Sequence, residues 1–181
     1  MKQSLKATAK QRNKPTSPWI KYCIIAAGLL LIFAGLLYIY RYISLDREFH
    51  SNIRFFEEET YEEIFALTDT KTEAESVMEQ AEKAFSFIGT EEEAAEQFGA
   101  LSRYSCTDSG AVSEEHTLDY IISKIGDTGG YIWVAYTQVA LDPGGEAVSG
   151  SGSEKQRILS RWTVEKDRDG QWMVTEIQEA P

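Results

Sequence analysis

The chain has 181 residues, 18 Lys plus Arg against 29 Asp plus Glu, and a net charge of −11. That charge is segregated: residues 1–41 hold seven Lys/Arg and no acid, residues 42–181 hold eleven Lys/Arg and all 29 acids, and the two parts carry +7 and −18. The second part, about 140 residues, suits one domain with a single core rather than two. Its acidity argues against nucleic-acid binding, and its single thiol, Cys106, excludes a disulfide framework or a Cys-based zinc site.

Residues 1–18 carry Lys2, Lys6, Lys10, Arg12 and Lys14 among Ser, Thr, Asn, Gln and two prolines, with no apolar periodicity, and are expected to be a disordered basic tail. From Tyr22 to Tyr40 no residue is charged, and this run predicts a transmembrane helix over residues 19–41, since 19 residues of helix extend about 28 Å. Trp19, Tyr22, Tyr38, Tyr40 and Tyr42 flank it as an interfacial aromatic belt. Six Lys/Arg precede the run and only Arg41, Arg47 and Arg54 follow closely, which predicts a cytoplasmic N-terminus and an outer C-terminal domain. A cleaved signal peptide is the weaker reading, because the apolar run exceeds the usual span of about 7 to 15 residues. Cys23 then lies in lipid, apart from Cys106, and Gly28 and Gly35 read as ordinary small residues of a membrane helix.

Residues 42–69 read as a helical stalk, with Phe49, Ile53, Phe56, Tyr61, Ile64 and Phe65 at helical spacing among glutamates. The domain follows over residues 70–181. Thr72 and Glu75 have capping-box spacing before a helix bearing Val77, Met78, Ala81, Ala84, Phe85 and Ile88 and ending at Gly89. Thr90 and Glu93 repeat that spacing before Ala94, Phe98 and Leu101. Ser113 then predicts the cap of a further helix, with Leu118, Ile121, Ile122 and Ile125 buried and Gly126 at its end.

From Gly130 the texture becomes extended, with strands predicted over Tyr131–Leu141, Lys155–Lys166 and Gln171–Gln178. Asp142–Glu154, rich in Gly and Ser, reads as a mobile tip, and Asp167–Gly170 as a tight hairpin. Short connections make the strands antiparallel, so the class is α+β, with helices packed on a curved antiparallel sheet. Alternation puts Tyr131, Trp133 and Ala135 on one face and Ile132, Val134 and Tyr136 on the other. Both faces are apolar, which requires either helices on both sides or a docked partner.

Candidate chemistry is sparse. His116 and Asp119 have the spacing of an acid/base pair, but a surface histidine is the preferred reading, and His50 lies in the stalk. Glu57–Glu59 and Glu91–Glu93 are consecutive, fan around a helix, and do not converge on a metal. The glycines of residues 144–152 lack the Gly-Lys-Ser/Thr ending of a phosphate loop, and Ser102, Ser105 and Ser109 lack a Gly-x-Ser-x-Gly context. No cofactor is implied. What remains is an aromatic set, Tyr104, Tyr131, Trp133, Tyr136, Trp162 and Trp172, as a cavity lining or interaction surface, weighed against a core role.

Helices followed by a meander that ends, after Asp169-Gly170, in the strand Trp-Met-Val-Thr-Glu-Ile at Trp172–Ile177 resemble the NTF2-like, cone-shaped α+β fold. With a single membrane anchor and a basic tail, the chain resembles the bitopic VirB8-like and TcpC-like components of bacterial conjugation and secretion machines. That resemblance implies a non-enzymatic scaffold. The partners expected are the lipid bilayer, other membrane or extracytoplasmic proteins and further copies of the chain, with no nucleic acid bound by the outer domain. The alternative is a ligand-binding or enzymatic NTF2-like domain using an aromatic-lined cavity.

Overall fold

The computed structural model describes residues 18–108 and 110–180. The basic tail expected over residues 1–18 lies, but for Pro18, outside them, as does Ser109. The chain forms two compact units divided after Ile43. The first contains most of helix α1 (Pro18–Ile53), the one helix among the described residues long and apolar enough to cross a membrane. Its Leu29, Leu30, Leu31, Ile32 and Phe33 are exposed, as side chains that face lipid would be.

The second unit begins at Ser44 and so takes in the last turns of α1. Next come α2 (Glu58–Glu63), α3 (Lys71–Phe85), α4 (Glu91–Phe98), a 3-10 helix (Gly99–Tyr104), and strands β1 (Ser113–Ile125), β2 (Gly129–Leu141), β3 (Ala147–Ser151), β4 (Ile158–Lys166) and β5 (Trp172–Glu179). The strands make one antiparallel sheet in the order β1-β2-β4-β5, with β3 beside the far end of β2. The class is α+β, as read from the sequence.

Four local expectations are corrected. Residues 113–125 form a strand and not a helix, paired with β2 from Ser113–Leu141 to Ile125–Gly130. Its isoleucines look helical because a bulge inserts Ile121 between the pairs Tyr120–Val134 and Ile122–Trp133. Leu118, Tyr120 and Ile125 thereby join the cluster under α3, while Ile121 and Ile122 both join the opposite one. An apolar spacing of three and four then mimics a helix period. Second, the N-cap position of α3 is Thr70, which makes no side-chain cap bond, and Thr72 and Glu75 lie inside the helix. The Thr70 hydroxyl is engaged with Ser123 Oγ (2.9 Å) and accepts from the Ile125 N–H (2.8 Å), so it ties the helix start to the strand end. Third, part of the Gly/Ser-rich tip is the strand β3. Fourth, α3 ends at Phe85 and not at Gly89, and Ile88, expected on its buried face, is exposed beside the bridge to Cys106.

Other expectations hold. Thr90 and Glu93 form a reciprocal capping box. The Asp167–Gln171 turn closes with Gly170 at φ 78°, a conformation that suits glycine. β2 separates its faces as its alternation dictates. Ile132, Val134 and Tyr136 pack under α3 with Ala81, Ala84, Phe85, Leu101, Tyr104 and Trp162. Trp133 and Ala135 pack on the other side with Phe49, Ile53, Ile64, Ile122 and Leu159. The second apolar face is therefore closed by the chain's own stalk.

Candidate functional site

The aromatic candidates separate into three settings. Tyr104, Tyr136 and Trp162 are buried together on the α3 side, where Phe85 stacks on Tyr104 (centroids 4.4 Å, planes 12° apart) and Tyr136 meets Tyr104 edge-on at 5.1 Å. Trp133 is equally buried on the stalk side, edge-on to Phe56 at 4.8 Å, with Arg161 over the ring of neighbouring Tyr131. Trp172 is half-buried at the start of β5 under the Lys166 ammonium, 4.7 Å from the ring centroid. These side chains fill the two core layers and do not converge on one shared cavity.

The ring cluster under α3 carries a buried polar hub. The Tyr104 hydroxyl accepts from Trp162 Nε1 (2.8 Å), lies 2.9 Å from Ser160 Oγ, and donates to Glu179 Oε1 (2.8 Å). Arg103 pairs with the other Glu179 oxygen at 3.0 Å. Burial, reinforced by the Glu179 carboxylate, raises the pKa of Tyr104 and of Tyr136 well above that of a free phenol, so both keep their protons. Each hub atom has a partner, which makes this arrangement a positioning device for the last strand.

A second polar group lies beside it. His116, whose ring stacks on Phe85, places Nδ1 2.8 Å from Glu114 and Nε2 2.8 Å from Glu82 of α3. Two carboxylate acceptors need two N–H donors, so this geometry belongs to the imidazolium. Burial lowers the His116 pKa, but the bonds to Glu82 and Glu114 outweigh it and the net shift is upward. The Glu114 pKa is raised, chiefly by burial. Its side chain is 2% exposed, and Oε1 has no hydrogen-bond partner.

His116 is thus held between two elements and is not a free surface residue. It is not paired with Asp119 either: three residues on along β1, that side chain turns the other way and meets Arg157, which also holds Glu48. Reading residues 113–120 as a strand would have put Glu114 beside His116 on one face. Glu82 and Glu179 carry no such local signal. Among the described residues no group of three His, Cys, Asp or Glu side chains is placed to hold a metal ion.

Several open depressions adjoin these groups, one of them lined by His116 itself, and two others are larger than it. One, about 440 Å³, is lined by Phe55, Phe56, Glu57, Thr60, Arg103 and residues 177–179. The other, about 320 Å³, runs between α3 and β1, with Met78, Leu118 and Tyr120 at its floor and Lys71, Glu75, Glu79 and Glu82 around it. Burial and a bond donated to Asp69 push the Tyr120 hydroxyl up to about 12. Compared with protein-family models, curated proteins and solved structures, the chain matches none.

Proposed function

We propose that this chain is a single-pass membrane protein whose acidic domain lies outside the cytoplasm and acts as an interaction module in a larger assembly. The observation that carries this reading is the filled core: the aromatic residues best suited to line a cavity pack on one another, and the chain's own helices close both sheet faces. What the domain offers is its surface, which is strongly acidic. The excess of Lys/Arg before the apolar helix supports a cytoplasmic N-terminus. Element order and the closing strand Trp172–Glu179 support kinship with NTF2-like domains, and the anchor supports a place among VirB8-like scaffolds of conjugation or secretion machines.

The test is chemical cross-linking in intact cells, followed by purification of the full chain from gently solubilised membranes. Defined membrane partners, or higher copies of the chain, are expected on the cross-linked ladder. Recovery of the chain alone would remove the basis for the proposal. A second reading, a small ligand taken up beside His116, is favoured by the partnerless Glu114 Oε1. It predicts a ligand-dependent rise in Tm that Glu114→Gln abolishes.

A further inference from the structure

The long edge strand β1 pairs with β2 on one side, and among the described residues no strand pairs with its other side. From the bulge onward that side is covered: the Ser123 carbonyl accepts from the Thr70 N–H, while the Ser123 and Ile125 N–H groups are taken by Asp69 and Thr70 oxygens. An open sheet edge is a template for one more strand.

α3 lies along this edge in the opposite direction. Thr70 meets Ser123, the Lys71 ammonium stands over the Tyr120 ring, and Glu82 reaches His116. Between those ties is the groove floored by Met78, Leu118 and Tyr120, all half-buried and continuous with the core. Glu75 and Glu79 stand exposed on its wall, four residues apart on α3. A four-residue helical step advances about 6 Å. Alternate side chains of a strand are separated by about 6.6 Å, so a strand laid along β1 repeats in near register with the glutamate row.

We propose that the α3–β1 groove docks an extended basic segment of a partner protein. The segment hydrogen-bonds to the open edge of β1 and turns Lys or Arg side chains toward Glu75 and Glu79, their aliphatic stems over Met78 and Leu118. Charge selects this occupant over a second copy of the chain. β1 itself bears Glu114, Glu115 and Asp119 against Lys124 and a His116 already held by two carboxylates, so an edge-to-edge pair of copies would bring acids together in a domain that already carries −18. This inference rests on the interaction-module reading and names the surface and the partner's chemistry.

The test uses the full chain in detergent micelles and a fluorescent synthetic peptide of about ten residues alternating Lys and Val, with a Glu/Val peptide as its reverse. Expected are saturable binding of the Lys/Val peptide, none of the Glu/Val peptide, and slowed amide exchange over residues 113–120. The double variant Glu75→Lys/Glu79→Lys should weaken binding about tenfold or more. Glu91→Lys/Glu92→Lys, the same charge change on α4, should leave it within about twofold, and circular dichroism of both variants checks folding. Equal weakening by the two variants, or binding without slowed exchange on β1, would overturn the groove assignment. Cross-linked partners that survive Glu75→Lys/Glu79→Lys would also overturn it and leave the broader reading intact. Specific peptide docking with no cross-linked partner in cells would sink the broader reading alone.

Discussion

On the α3 side of the sheet, the rings of Phe85, Tyr104, Tyr136 and Trp162 surround polar atoms that are themselves buried and bonded to one another. On the stalk side, Phe49, Ile53, Ile64 and Trp133 form an apolar layer whose polar groups stand at its rim. There Glu63 holds Arg161 through bonds of 2.7 and 3.0 Å and accepts from Trp133 Nε1 at 3.2 Å, and Arg157 joins Glu48. The difference separates two jobs. A buried hydroxyl hub fixes how elements align, because any other arrangement leaves donors unmet in the interior. A rim of ion pairs around an apolar layer contributes less per pair, and the layer's stability comes from area removed from water.

The comparison breaks most completely if the stalk is removed. A chain beginning at Ser44 should fold, whereas one beginning at Thr70 should not, because Trp133, Ile122 and Leu159 lose their cover. Phe49, Ile53 and Ile64 alone contribute about 1.5 to 3 kcal/mol each, together comparable with a typical domain's whole stability of about 5 to 15 kcal/mol. Urea unfolding followed by tryptophan fluorescence checks this. A cooperative transition of normal amplitude in the shorter chain would show the stalk to be dispensable.

Smaller changes sharpen the contrast between hub and rim. Tyr104→Phe strips Glu179 and Trp162 of a shared partner inside the core and should cost about 1 to 3 kcal/mol, nearly independent of salt. Glu63→Gln at the part-exposed rim should cost about 1 kcal/mol, a loss that shrinks as ionic strength rises. Parallel denaturation curves at low and high salt measure both. Equal salt sensitivity in the two variants would erase the distinction.

Much of this architecture is legible in the chain. The α+β class, the Thr90/Glu93 cap, the Asp167–Gly170 turn and both faces of β2 follow from periods and turn residues that act locally. β1 misleads because its bulge resets the alternation at Ile121, and a bulge becomes visible only against the partner strand. The second apolar face of β2 is evident from Trp133 and Ala135, but its cover lies some eighty residues earlier in the stalk. The site was harder still. Glu82 reaches His116 across 34 residues and Glu179 reaches Tyr104 across 75, so neither pair has a spacing to read.

The subtlest contrast lies within the α3 side, between the hub, whose protons stay in place, and the His116 group, whose proton does not. With its pKa raised above the ordinary histidine value of 6.5, His116 contributes stability that is fully present below that value and is lost as pH rises through the folded-state pKa. Glu114 acts in the same sense. Its pKa is raised by burial, so the folded state disfavours its carboxylate and stability falls as that group ionises. The domain should therefore lose Tm from about pH 6.5 upward, and His116→Gln, which keeps a polar side chain but no proton to release, should flatten that decline. At pH 6 the variant should be less stable by about 1 to 2 kcal/mol, and the gap should close on the alkaline side. Thermal unfolding by circular dichroism at half-unit pH steps reads this directly. A gap that stays constant from pH 6 to about pH 9 would mean that His116 serves by packing on Phe85 and not by its charge, because stacking does not depend on the ring's second proton.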